Sequence, residues 1–128
     1  MTTAVPPVLE RPFLDKLLCI HVSRDAPGFP LTAYADFICR QTGGRVVKKA
    51  GAPWIDEAYW DIEVGDRVLV LHYQHFLGVF LCAGSPEAEP LVEQLLLPTQ
   101  RFLAPAPLAI RAVRKAWRNI VAMFRGGA

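Results

Sequence analysis

Cys19 and His21 stand two residues apart, the spacing that puts two side chains on one face of a β-strand and that a thiolate–imidazole couple or two metal ligands would need. His72 and His75 are three apart, which makes neighbours on a helix but sends the rings to opposite faces of a strand or turn. Neither pair is diagnostic, because a free cysteine most often packs as a small buried apolar group. Five carboxylates, Asp56, Glu57, Asp61, Glu63 and Asp66, follow closely in the centre of the chain. Paired carboxylates can hold a divalent cation or serve as acid and base. Here no glycine-bearing calcium loop encloses them, and the alternation of the segment turns Glu57, Asp61 and Glu63 outward on one strand face. A Walker loop, a G-x-S-x-G elbow, a dinucleotide fingerprint and zinc-finger spacing are all missing. The sequence therefore assigns no catalytic residue, no metal ligand and no cofactor, and its expectation is a protein that is not an enzyme.

An outward row of acids is either a solvated face or a docking surface for a basic partner, which long-range attraction would steer and orient. Trp54 and Tyr59 lie beside that row, and interface hot spots favour Trp, Tyr and Arg. Trp54, Asp56, Glu57, Tyr59, Asp61 and Glu63 are thus the expected partner-binding residues, with the alternative that Trp54 merely covers a sheet edge. A second constellation is basic. From Gln94 onward there are six bases and no acid; taking those six from the 14 bases of the chain leaves 8 against 12 acids in the preceding part. On a helical wheel Arg111, Arg114, Arg118 and Arg125 share one face, with Lys115 at its edge, and Ile110, Val113, Trp117, Ile120, Val121 and Phe124 occupy the other. Such a helix either packs its apolar side on the domain with the bases solvated, docks a protein, or meets an anionic membrane or nucleic acid. The net acidity of the rest opposes a polyanion.

These residues must be held by a chain of 128 residues that is 52% hydrophobic and 20% charged, enough for one domain with one sizeable core and too apolar for disorder. Three cysteines without a CxxC pair imply neither a disulfide framework nor a zinc ribbon and fit a reducing cytoplasm. No basic residue precedes the short apolar start, which is wrong for a secretory signal. The stretch from Val68 to Gly84 is interrupted by His72, Tyr73, Gln74 and His75, and so reads as two strands and a turn rather than a membrane span.

Residues 1–12 read as a Pro-rich arm and Leu17 to Val22 as a short buried strand. Leu31 to Gln41 has a helical apolar face closed by Gly43 and Gly44. Arg45 to Lys49 begins another strand. From Glu57 to Val64 apolar and polar residues alternate, Gly65 and Asp66 make a two-residue turn, and two further strands follow to Cys82. Ser85 and Pro86 open a helix that Pro98 ends or kinks, Arg101 to Pro107 is a linker, and the basic helix runs from about 108 to 125. The expectation is an α+β fold: a mainly antiparallel sheet of about five strands, two helices packed on it, and a C-terminal basic amphipathic helix. One domain would span 1–128, with 13–97 as its body.

The run Gly43-Gly44-Arg45-Val46-Val47, then Trp54-Ile55-Asp56, Tyr59-Trp60-Asp61-Ile62 and Phe76-Leu77-Gly78-Val79-Phe80, resembles the strand core of small single-domain bacterial α+β proteins of the immunity type. The resemblance covers roughly residues 17–97 and is one of layout. It implies a cytoplasmic protein that neutralises a cognate toxin, or another protein partner, by binding it, with no chemistry of its own and no small-molecule substrate. The rival expectation is binding of nucleic acid or an anionic membrane surface through Arg111, Arg114, Lys115, Arg118 and Arg125.

Overall fold

Alternation of buried and exposed residues along Glu57–Val64 (β4) builds the centre of the molecule: Ala58, Trp60, Ile62 and Val64 are buried, whereas Glu57 and Tyr59 are exposed. The computed structural model describes residues 5–51, 56–104 and 117–120. The remaining strands are Val8–Glu10 (β1), Cys19–Ser23 (β2), Arg45–Gly51 (β3), Arg67–Gln74 (β5) and Gly78–Ala83 (β6), with helices Leu31–Thr42 (α1) and Glu89–Leu103 (α2) and a 3₁₀ turn over Pro86–Ala88. All strand pairs are antiparallel, and the sheet order is β1-β2-β6-β5-β4-β3. The fold is α+β. The sheet has six strands, and the basic C-terminal helix lies mostly outside the described residues, of which 117–120 form one helical turn.

Both helices lie against the same sheet face. Leu31, Tyr34, Ala35 and Ile38 of α1, with Leu91, Val92 and Leu95 of α2, bury against Ile20, Ile62, Leu69, Leu71 and Leu81. Each fully buried large side chain of this kind contributes roughly 1.5–3 kcal/mol. Gly43 takes φ 72° and its N–H closes α1 onto the Cys39 carbonyl, the left-handed stop that the glycine pair predicts. Gly65, at φ 63°, makes the expected turn between β4 and β5.

Three boundaries differ from the sequence reading. The sixth strand is β1, taken from the supposed arm: a three-residue alternation is too short to stand out, but Val8, Leu9 and Glu10 pair with His21, Ile20 and Cys19. Gln100 Nε2 donates to the Pro7 carbonyl at 2.9 Å, and Arg11 reaches Glu89 at 2.6 Å, tying this strand to α2. The helix after Ser85 begins as a 3₁₀ turn, and Ser85 makes no side-chain cap. Finally, Pro98 does not end α2; the helix continues through Arg101 to Leu103, residues expected in a linker. Proline removes one backbone donor, and beyond it the helix is held by Thr99, fully buried against Tyr34, and by Phe102, stacked on Phe37 at 4.6 Å between ring centroids.

Candidate functional site

Among the described residues α1 and α2 cover one face of the sheet, and a layer of side chains contributed by all six strands lies on the other. Antiparallel register places residues on that face in rows, because directly paired residues share a side. One row runs Val8, His21, Phe80, His72, Tyr59 and Ala50; the next runs Glu10, Cys19, Cys82, Val70, Asp61 and Lys48. His21 stacks on Phe80 at 4.2 Å, Tyr59 stacks on His72 at 4.4 Å, and Phe13 lies over both Phe80 and His72 at 5.1 and 4.9 Å. The result is a continuous aromatic and imidazole band. Burial pushes the His72 imidazole below its ordinary 6.5, against an opposing pull from the nearby Glu57 carboxylate.

At the β4 end the expected partner-binding residues Glu57, Tyr59, Asp61 and Glu63 do share this face, with Asp56 just before the strand. Trp54 lies outside the described residues. The Tyr59 hydroxyl donates to Glu57 at 3.1 Å and Gln74 Nε2 donates to the same carboxylate at 3.3 Å, so Glu57 is held in place. Partial burial, then the hydrogen bond to Glu57 and its charge, push the Tyr59 phenol up. Two of the acids have basic neighbours that only register reveals. Arg45 of β3 reaches Glu63 at 3.5 Å, and Lys48, shifted into line by a bulge between Val46 and Lys48, stands opposite Asp61. Among the described acids of this face, the excess is therefore greatest at Glu57, with Asp56 exposed just before the strand. On the opposite, helix-covered face Lys49 caps the Trp60 ring, 4.3 Å from its centroid.

Cys19 and Cys82 are directly opposite each other and buried under Phe13. The Cys82 thiol is pushed up by its hydrogen bond to Cys19 and by burial. The Cys19 thiol donates to the Leu17 carbonyl at 3.5 Å, while His21 directs Nε2 at the Leu77 carbonyl at 3.2 Å. The two groups that share a face by their spacing are thus each engaged elsewhere. His75 sits exposed in the β5–β6 turn, its ring edge-on to Phe76. Among the described residues no three His, Cys, Asp or Glu side chains converge as metal ligands.

The β1–β2 end of the face carries a group that the sequence reading missed. Glu10 Oε2 stands 3.3 Å from His21 Nδ1, and Arg24 lies 3.7 Å from the other Glu10 oxygen. With Phe13, Phe76, Leu77 and Phe80 these three line a cleft of about 450 Å³. Glu10 is hidden in the sequence because it lies in a Pro-rich stretch, where its signal is Val8 and Glu10 flanking Leu9, one short alternation.

Of the basic constellation, Arg118 lies in the helical turn 117–120, where Trp117 and Ile120 are exposed; Arg111, Arg114, Lys115 and Arg125 lie outside the described residues. No helix among the described residues is long and apolar enough to cross a membrane. Comparison with known proteins gives no match: no family model fits the chain, and no curated protein and no solved structure is significantly similar to it.

Proposed function

We propose that this chain is a non-enzymatic binding protein that receives a basic protein partner at the exposed β4 end of its sheet, in the manner of an immunity protein or inhibitor that neutralises a toxin. The supporting observation is the exposed Tyr59 ring beside Glu57 at the β4 end of the sheet face opposite α1 and α2, backed by the buried His72 and Phe80 rings, with Asp56 exposed just before the strand. Stacking on buried His72 holds the Tyr59 ring in place at low cost in side-chain entropy, as an interface anchor requires. Glu57, fixed by Tyr59 and Gln74, supplies a preorganised acceptor for a guanidinium or ammonium group of the partner. Asp61 and Glu63, beside Lys48 and Arg45, set register rather than attraction.

The full chain, tagged and expressed in its native host, is expected to capture a protein of net positive charge. Glu57→Lys combined with Tyr59→Ala should weaken that complex by about 30-fold or more, the effect of losing one hot spot. Glu93→Lys, on the exposed side of α2, should leave it intact. Undiminished affinity in the double variant would refute the proposal. So would the absence of a protein partner together with salt-sensitive binding to anionic vesicles or polyanions, which would move the function to the basic residues of 108–125.

A further inference from the structure

We infer that the cleft between β1, β2 and the β5–β6 turn binds a small neutral aromatic molecule bearing one hydrogen-bond donor, of the phenol or indole type. This ligand site adjoins the proposed protein-docking surface, with Phe80 lining the cleft and backing the His72–Tyr59 stack. The cleft, at about 450 Å³, is in the range of small-molecule sites, and it combines apolar walls with a few convergent polar groups. Its apolar part is Phe13, Phe80, Leu77 and Phe76; Phe76 is 83% exposed and Leu77 49%, both in or beside the turn at the mouth.

The polar part is incomplete. The His21 side chain is more than nine-tenths buried, stacked on Phe80 and fixed through Nε2 to the Leu77 carbonyl. A carbonyl only accepts, which assigns the proton of the neutral ring to Nε2 and leaves Nδ1 an acceptor. Nδ1 has no hydrogen-bond partner, and the nearest polar atom, Glu10 Oε2 at 3.3 Å, is itself an acceptor. In the neutral ring two acceptors then face each other without a donor between them, whereas a protonated ring would donate Nδ1–H to Glu10 itself. A ligand O–H or N–H supplies it, entering as the Glu10 side chain, one-third exposed, turns toward Arg24, its partner at 3.7 Å. Because Arg24 already neutralises Glu10, a second cation gains little there, so the donor that fits is a neutral one. The ring carrying it is received by Phe13, Phe80 and Phe76, where offset or edge contacts are favourable.

Titration of 4-methylphenol, indole and toluene into the ¹⁵N-labelled full chain tests this directly. The first two are expected to bind saturably and shift the amides of Glu10, His21, Arg24 and Leu77. Toluene, with the same shape as 4-methylphenol and no donor, should bind about tenfold more weakly. His21→Phe keeps the stack and removes the acceptor, and should bring 4-methylphenol down to the level of toluene. Glu10→Gln places the protein's own N–H against Nδ1 and should have the same consequence, giving a second variant if His21→Phe does not fold. Glu57→Lys with Tyr59→Ala should leave ligand binding unchanged, so failure of the docking surface and failure of this site are read separately. Absence of saturable binding, equal affinity for 4-methylphenol and toluene, or shifts confined to other parts of the sheet would each overturn the inference.

Discussion

Tyr34 and Thr99 form the one hydroxyl pair in the described core, 2.8 Å apart and both fully buried between α1 and α2. Burial pushes the Tyr34 phenol far up, so its proton stays on throughout the range in which the protein is handled. The pair is expected to respond asymmetrically to truncation. Tyr34→Phe leaves a threonine hydroxyl that can turn to the carbonyl one helical turn back, and should cost about 1 kcal/mol. Thr99→Val strands the phenol without such recourse and should cost about 2–3 kcal/mol. The double variant should then be less destabilised than the sum of the singles, a coupling that urea denaturation in a double-mutant cycle measures. At this scale the sequence was informative about side and silent about partners. Alternation put Glu57, Tyr59, Asp61 and Glu63 on one face, and there they are. That Glu63 meets Arg45, and that Cys19 faces Cys82 rather than His21, followed from register.

Elements were legible where a pattern ran long enough. The helix Leu31–Thr42 with its glycine stop and the hairpin through Gly65 agree with expectation, since local chemistry alone demands them. The strand Val8–Glu10 and the continuation of α2 past Pro98 did not, since both are held by distant contacts: β2 and Gln100 for the former, Tyr34 and Phe37 for the latter. Gly78 illustrates the same point at a single position. It opens β6 at φ 109°, and a Cβ there would strike the Ser23 carbonyl and crowd Arg24 and the His21 ring. Gly28, at φ 80°, has open space around it. Gly28→Ala should cost about 1 kcal/mol from the backbone alone. Gly78→Ala should cost about 3 kcal/mol or more, because strain adds to a backbone clash. Comparing denaturation midpoints of the two variants checks this ordering, and Gly78→Ala should also disturb the amide signals around His21.

Taken as a whole, the molecule is expected to lose stability in acid in two separate steps. His72, facing Tyr59, Phe13 and Phe80 with Glu57 nearby, has a folded value below its ordinary 6.5. The unfolded chain therefore binds the proton first, so the stabilisation present above 6.5 declines as pH falls through 6.5 to the lowered value. Glu89 behaves separately. Its hydrogen bond from Arg11, then that from the Leu18 backbone, hold it below the ordinary 4.5, and the stabilisation it gives above 4.5 is lost as pH falls through the lowered value. Stability followed by urea midpoints from pH 7.5 to 3 should show both declines. His72→Phe should remove the upper one and Glu89→Gln the lower.

The amino-acid order by itself determined the α+β class, the outward acidic phase of the central strand, the helix closed by Gly43 and the segregation of bases beyond Gln94, because each depends on spacing or composition within a few turns of chain. Which strands became neighbours was decided only by the assembled six-stranded sheet. Setting β2 against β6, across nearly sixty positions of chain, brought His21 onto Phe80 and enclosed the cleft with Glu10 and Arg24. Such long-range pairing is selected by burial of the opposite, apolar face against the helices, and no local pattern around Glu10 or His21 encodes it.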